Sequence, residues 1–294
     1  MSGAGGVAPR RRLRFRSGSL WLVLQIVLAG SLLVLLLLPV YALFTYATPR
    51  EIVAAAMEPA VQTAIGFTLY ASGFAVLASV LFAIPFGYLL ARRRFRGKSV
   101  VESAVALPIA VPHLMVGLGL FLVLALPGTP LYRFTIAIGF PVYYTIWGVV
   151  LVMVIVSAPY TVLAAQLSFQ AVDPRVLEAA RSLGAGPANA FLTVSFPLAI
   201  RGIVAGLLLT WARAVSEIGG ILILAYEVLP AGPYTGPPTS TISVLVYNLF
   251  QSGDLVGAAA VSSVFLLIAF VLFLLVRIGE RSGWIPWRRG ELVP

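Results

Sequence analysis

Arg213 and Glu217 stand four residues apart in an otherwise apolar stretch. That spacing puts two side chains on one helix face, where a cation can neutralise a carboxylate. Charge is costly inside a bilayer, so such residues face a protein interior or a wet cavity and mark function. They could brace a transport pathway, or Arg213 could touch a passing oxyanion, since guanidinium suits tetrahedral oxyanions. Glu217 would repel that anion, which favours the brace. Gly219 and Gly220 follow directly, allowing close helix packing or the bend a gate requires. Pro108 and Pro112 break or kink another apolar stretch, and broken helices line transport pathways. His113, the only histidine, reads as a hydrogen-bonded packing residue rather than a ligand. One histidine, scattered acids and no cysteine supply no clustered groups for catalysis or metal binding. Gly97-Lys98-Ser99 resembles the end of a phosphate-binding loop, but position 92, where that loop needs glycine, is Arg. No nucleotide site is expected on this chain, so no catalytic residue, metal or cofactor is either.

The elements that hold these residues are set by composition. Of 294 residues 60% are hydrophobic and 10% charged, with a mean hydropathy of +1.01. Soluble domains average about 25% charged residues, which excludes a water-soluble enzyme. Crossing the bilayer takes about 20 apolar residues, and six stretches qualify: roughly 20–46, 62–91, 100–126, 145–168, 202–228 and 255–277. The fifth contains Arg213, Glu217 and Glu227. The first is too long for a cleaved signal peptide and lacks a small-residue cleavage site.

Positive charge gathers on the cytoplasmic side of membrane proteins. The first tail carries Arg10, Arg11, Arg12, Arg14 and Arg16, and the loop after span two carries Arg92, Arg93, Arg94, Arg96 and Lys98. The segment after span four has Arg175, Arg181 and Arg201; the last tail has Arg277, Arg281, Arg288 and Arg289. Only Arg50 and Arg133 fall on the opposite side. Both termini are therefore expected in the cytoplasm, and the net charge of +10 is a topology signal that needs no nucleic-acid partner. The chain divides into a basic tail (1–19), a first helix with its outer loop (20–61), a core (62–277) and a basic tail (278–294).

The outer segments 47–61 and 127–144 are short and turn-rich, and 229–239 is too rich in Pro and Gly for a helix. Thr239-Ser240-Thr241 could cap a short apolar helix from Ile242 to about Phe250. The inner segment 170–201 holds a stronger signal. Asp173 suits an N-cap, Pro174 the first helical position, and Gly184 a stop. Val176, Leu177, Ala180 and Leu183 fall on one face of the helix between them, with Arg175, Glu178 and Arg181 opposite. Such a helix could lie on the membrane as a connector, or serve as a docking knob for a soluble partner.

Glu178-Ala179-Ala180, three residues, Gly184, nine residues, then Val194-x-Phe196-Pro197 resembles the EAA loop of ABC importer permeases. Val and Phe replace the usual Ile and Leu, and the spacing matches throughout. Arg213-x-x-x-Glu217-Ile218-Gly219-Gly220 and Leu107-Pro108-Ile109-x-x-Pro112 resemble signatures of the molybdate, tungstate and sulfate permeases. Gln170 to Pro174 and Leu224-Ala225-Tyr226 look most like the archaeal tungstate/molybdate branch. The resemblance covers about residues 62–277. It implies an all-α integral membrane protein of the type I importer fold, with six transmembrane helices in the plasma membrane. It implies a second permease copy, an ABC ATPase subunit carrying ATP and Mg, and an extracytoplasmic oxyanion-binding protein. On this reading Val176, Leu177, Glu178, Ala179, Ala180, Arg181, Leu183, Gly184 and Pro197 couple to the ATPase. Pro108, Pro112, Arg213, Glu217, Gly219 and Gly220 would line the pathway or gate. The insert at 229–239 is longer than the family's usual connection. A sulfate permease of the same fold is the nearest alternative. A stand-alone channel or secondary transporter would need more ionisable groups along its spans and no docking helix. A membrane enzyme would need clustered His or carboxylates.

Overall fold

The computed structural model describes residues 17–282, and among them the regular structure is helical. Helix α1 is Ser17–Tyr46 and α2 is Pro49–Met57. Span two is α3, Pro59–Arg92, and span three is split into α4, Lys98–Ala110, and α5, His113–Ala125. A short α6, Pro130–Ala137, precedes span four, α7, Ile146–Gln170. Helix α8 is Pro174–Ser182, and span five is α9, Pro187–Val215. Three more follow: α10, Gly219–Leu224; α11, Ile242–Gln251; and α12, Leu255–Ser282. The arginines at 10, 11, 12, 14, 16, 288 and 289 lie outside the described residues, as do the side chains of Arg277 and Arg281.

Helix α1 is apolar on every side and exposed from Trp21 to Leu38. In water that surface would not stay open; it is the lipid-facing solution of an all-apolar helix. It meets the rest of the molecule at its end, where Leu43 and, just past the helix, Ala47 pack with α2 and α12. Helix α7 is the hub. Lipid tails are as apolar as leucine, so packing of small residues and buried hydrogen bonds must hold helices together. Gly202 and Gly206 of α9 lie against Ser168 and Ala164 of α7, and Gly87 of α3 lies against Ala165. The Gly202-x-x-x-Gly206 spacing thus lets α9 approach α7 closely. Between the same helices Thr161 and Thr210 share a hydrogen bond of 2.6 Å, fully buried.

Several expectations change. Span five starts at Pro187 and ends at Val215, not 202–228. Pro197, expected within the inner segment 170–201, therefore lies inside the helix. The π-turn Phe191–Ser195 just before it widens the backbone, so the missing proline N–H and the bulky ring are absorbed. Span two handles Pro85 in the same way through Ser79–Ala83. Past Val215 the helix stops, so Glu217 lies in a break and Glu227 beyond the short α10, exposed to solvent. Span three is broken as Pro112 predicts, α4 and α5 meeting at 106° around Val111-Pro112, whereas Pro108 stays inside α4.

The outer segments 47–61 and 127–144 contain helices rather than turns alone. Each opens on Thr-Pro: Thr48 and Thr129 cap from their hydroxyls, and Pro49 and Pro130 take positions whose N–H is not needed. Thr48 and Glu51 form a reciprocal capping box, and the Thr48 backbone N–H and hydroxyl lower the Glu51 pKa. Helix α11 begins as expected at Ile242, but not by Thr241 capping it. Thr68, from α3, accepts from the Ile242 N–H at 2.8 Å. Residues 229–239 fold back on themselves, Val228 pairing with Thr239 and Ala231 with Tyr234. The Tyr234 ring then packs edge-on against Phe67, holding the segment to the core.

Candidate functional site

Two places gather the residues of interest. The first is α8. Asp173 accepts from the Arg175 N–H at 2.9 Å, and Pro174 supplies the first helical residue. At the other end Gly184 adopts φ +90°, and its N–H reaches the Arg181 carbonyl at 2.9 Å. A left-handed residue at this position closes the helix and favours glycine. Leu177 is 6% exposed and anchors the helix to Phe169, Val172, Ala190 and Ile203. Arg92 donates to the Val172 carbonyl at 3.1 Å, tying the loop after span two to the entry of α8. The expected single apolar face is divided. Leu177 turns inward and Ala180 is half-buried, whereas Val176 is 44% and Leu183 90% exposed. Because 177 lies about 100° from 176 around the helix, burying Leu177 rolls Val176 and Leu183 outward. Glu178, Ala179 and Arg181 are exposed with them.

The second place joins the two helix breaks. Arg213, in the last turn of α9, donates through Nη2 to Glu217 Oε2 and to His113 Nε2, each at 2.7 Å. Its Nη1 reaches Ser216 Oγ at 3.1 Å. Guanidinium has only donors, so His113 Nε2 accepts and the ring proton sits on Nδ1. Glu217 is 1% exposed; its Oε1 accepts from the Gly220 N–H at 2.8 Å. That N–H belongs to the first turn of α10, where no intrahelical partner exists. One carboxylate therefore neutralises Arg213 and caps the helix beyond the break. The backbones meet here too. A Cβ on Gly117 would stand 2.5 Å from the Gly220 carbonyl oxygen, and one on Gly219 3.0 Å from the Leu114 amide nitrogen. At Gly117 the crossing of α5 and α10 leaves no room for a side chain, and at Gly219 the neighbouring backbone would have to give. Pro112 sets the bend of span three, while Pro108 lies inside α4.

Arg213, Glu217, Gly219, Gly220 and Pro112 thus gather in one node, and Pro108 stands apart from its hydrogen bonds. His113 is hydrogen-bonded, as the sequence predicts, but its partner lies a hundred residues away, beyond the reach of local spacing. Ser216 was missed altogether; its place inside Arg-x-x-Ser-Glu was the available signal. Among the described residues no three His, Asp or Glu side chains gather to hold a metal.

With this geometry in hand, residues 83–282 match the family described as the binding-protein-dependent transport system inner membrane component. The chain belongs to that family. Its relatives include the molybdate/tungstate transport system permease protein WtpB of Pyrococcus abyssi, 32% identical over 252 residues, 85% of this chain and 92% of that one. A probable sulfate transport system permease protein, cysT, of Prototheca wickerhamii is 30% identical over 256 residues, 86% of this chain and 97% of that one. Among solved structures, a chain of a bacterial alginate ABC transporter in complex with a pentasaccharide-bound periplasmic protein superposes with a TM-score of 0.70. It is 19% identical, over 89% of this chain and 94% of that one, so the likeness speaks for the fold of an importer permease. Among the described residues the inner membrane component is helical and multi-pass, with five helices long and apolar enough to span, or six if the bent pair α4–α5 forms one span.

Proposed function

We propose that this permease is the membrane subunit of an ATP-driven importer for a tetrahedral oxyanion, tungstate or molybdate, in the plasma membrane. A separate ABC ATPase subunit binds ATP and Mg and seats α8 in its surface. An extracytoplasmic binding protein delivers the anion to a cavity between two copies of this chain. ATP-driven closure of the two ATPases draws the α8 helices together and rocks the spans between outward and inward access. The arginine-rich loops and both termini face the cytoplasm.

The observation that carries the reading is α8. A short helix capped at both ends and anchored by Leu177 nevertheless presents Val176 and Leu183 with no cover. An apolar tip held rigidly outside the spans is what a protein partner, not lipid alone, would use. The oxyanion class rests on the relatives named for molybdate and tungstate and on Arg213. The relative named for sulfate keeps sulfate as the second reading, since the same node is compatible with any tetrahedral dianion.

Uptake by vesicles holding this chain with its cognate ATPase and binding protein tests the substrate. Tungstate uptake that excess molybdate blocks and sulfate does not is the expected result. Block by sulfate at similar concentration would move the assignment to sulfate. Active ATP hydrolysis with no uptake of any of these anions would overturn the oxyanion class.

A further inference from the structure

The objection to Arg213 as an anion contact is Glu217, whose charge would repel the cargo. The structure removes it. Glu217 is 1% exposed, and both of its oxygens are occupied, one by Arg213 and one by the Gly220 N–H. The Arg213 side chain keeps 19% of its surface. Ser216 is exposed and His113 half-buried. The surface of the node is thus a guanidinium, a hydroxyl and an imidazole, with the carboxylate behind them. Of the five guanidinium N–H groups, those on Nη2 serve His113 and Glu217, and one on Nη1 serves Ser216. The Nε–H and the second Nη1–H remain.

We propose that Arg213, Ser216 and His113 form a transient subsite for the transported oxyanion at the crossing of the two broken helices. This rests on the oxyanion reading above. Glu217 is a positioning residue: it fixes the plane of the guanidinium and offsets most of its charge. A pathway must hold its ion weakly enough to release it, and a lone buried arginine would trap a dianion. A carboxylate placed behind the guanidinium attenuates the site without facing the cargo. Ser216 Oγ now donates to the Arg213 carbonyl at 3.1 Å, and can turn that proton toward an arriving oxygen.

A brace and a subsite differ in what a neutral replacement does. In the double variant Arg213→Gln/Glu217→Gln the pair can still hydrogen-bond and loses no net charge, so a brace survives it; a subsite does not. The full complex in proteoliposomes, with assembly checked by co-purification of the ATPase, gives the readout. The subsite predicts that the double variant loses about tenfold or more of tungstate uptake, the scale of losing charge-assisted hydrogen bonds. Arg213→Lys and Ser216→Ala would shift the ratio of tungstate to molybdate uptake, which a purely structural role would leave alone. Wild-type uptake and an unchanged ratio in all three variants would overturn the subsite and leave the oxyanion reading standing. A wild-type complex that transports none of these anions would overturn both.

Discussion

The node at Arg213 was half legible in the residues. The i, i+4 spacing gave the ion pair, and the structure sets it at 2.7 Å. The spacing could not show that Glu217 also caps α10, because continuing the helix through 217 was equally consistent with the apolar pattern. Burying a charge pair is costly, and removing one partner strands the other. Glu217→Ala would leave Arg213 unneutralised and the Gly220 N–H unbonded. We expect a loss of about 3–5 kcal/mol, read as a lowered midpoint of thermal unfolding in detergent; an unchanged midpoint would remove the pair from the fold's support. Thr210→Val takes away a hydroxyl that accounts for two contacts, to Thr161 and to the Ser157 carbonyl. Interhelical hydrogen bonds in membranes are worth about 1 kcal/mol, so this variant should lower the midpoint measurably but mildly.

At the scale of elements, local chemistry was readable wherever a cap or stop was involved. Asp173-Pro174 and Gly184 delimited α8 to within two residues. Thr48-Pro49 and Thr129-Pro130 carried the same signal for α2 and α6, and were masked by the turn residues around them. Span five starts earlier than its apolar run shows, because a π-turn at Phe191–Ser195 lets the helix run through Pro197. The roll of α8 was also hidden, because periodicity gives a face and not the neighbour that claims it. Leu177 is claimed by Phe169 and Ile203, and this leaves Leu183 exposed. Leu183→Asp should leave the fold intact and weaken co-purification of the ATPase, by about tenfold for a lost apolar anchor. Gly184→Arg forces a side chain into a left-handed backbone, costing about 1–2 kcal/mol. It should uncouple hydrolysis from uptake while the chain still reaches the membrane. ATPase binding and coupled uptake at wild-type levels in both variants would detach α8 from energy coupling.

For the whole molecule, composition alone established a membrane protein, and the loop charges predict cytoplasmic termini. The helix contacts were not legible, since small residues in apolar spans occur too often to name their partners. The contact of Gly117 with Gly220 makes this plain: it joins two breaks separated by spans four and five. That crossing gives the molecule its working shape, with an exposed helix α8 on one connection and a charged node where two broken helices meet. On the proposed function the spans do not work alone: α8 transmits ATP hydrolysis to them. The direct measurement is tungstate accumulation in proteoliposomes holding the complex, with ATP supplied or withheld and the chain wild-type or Gly184→Arg. Accumulation against a gradient only with ATP, the binding protein and the wild-type chain is the predicted result. Equal accumulation without ATP, or by this chain in the absence of the ATPase, would contradict it and make the protein a self-sufficient transporter.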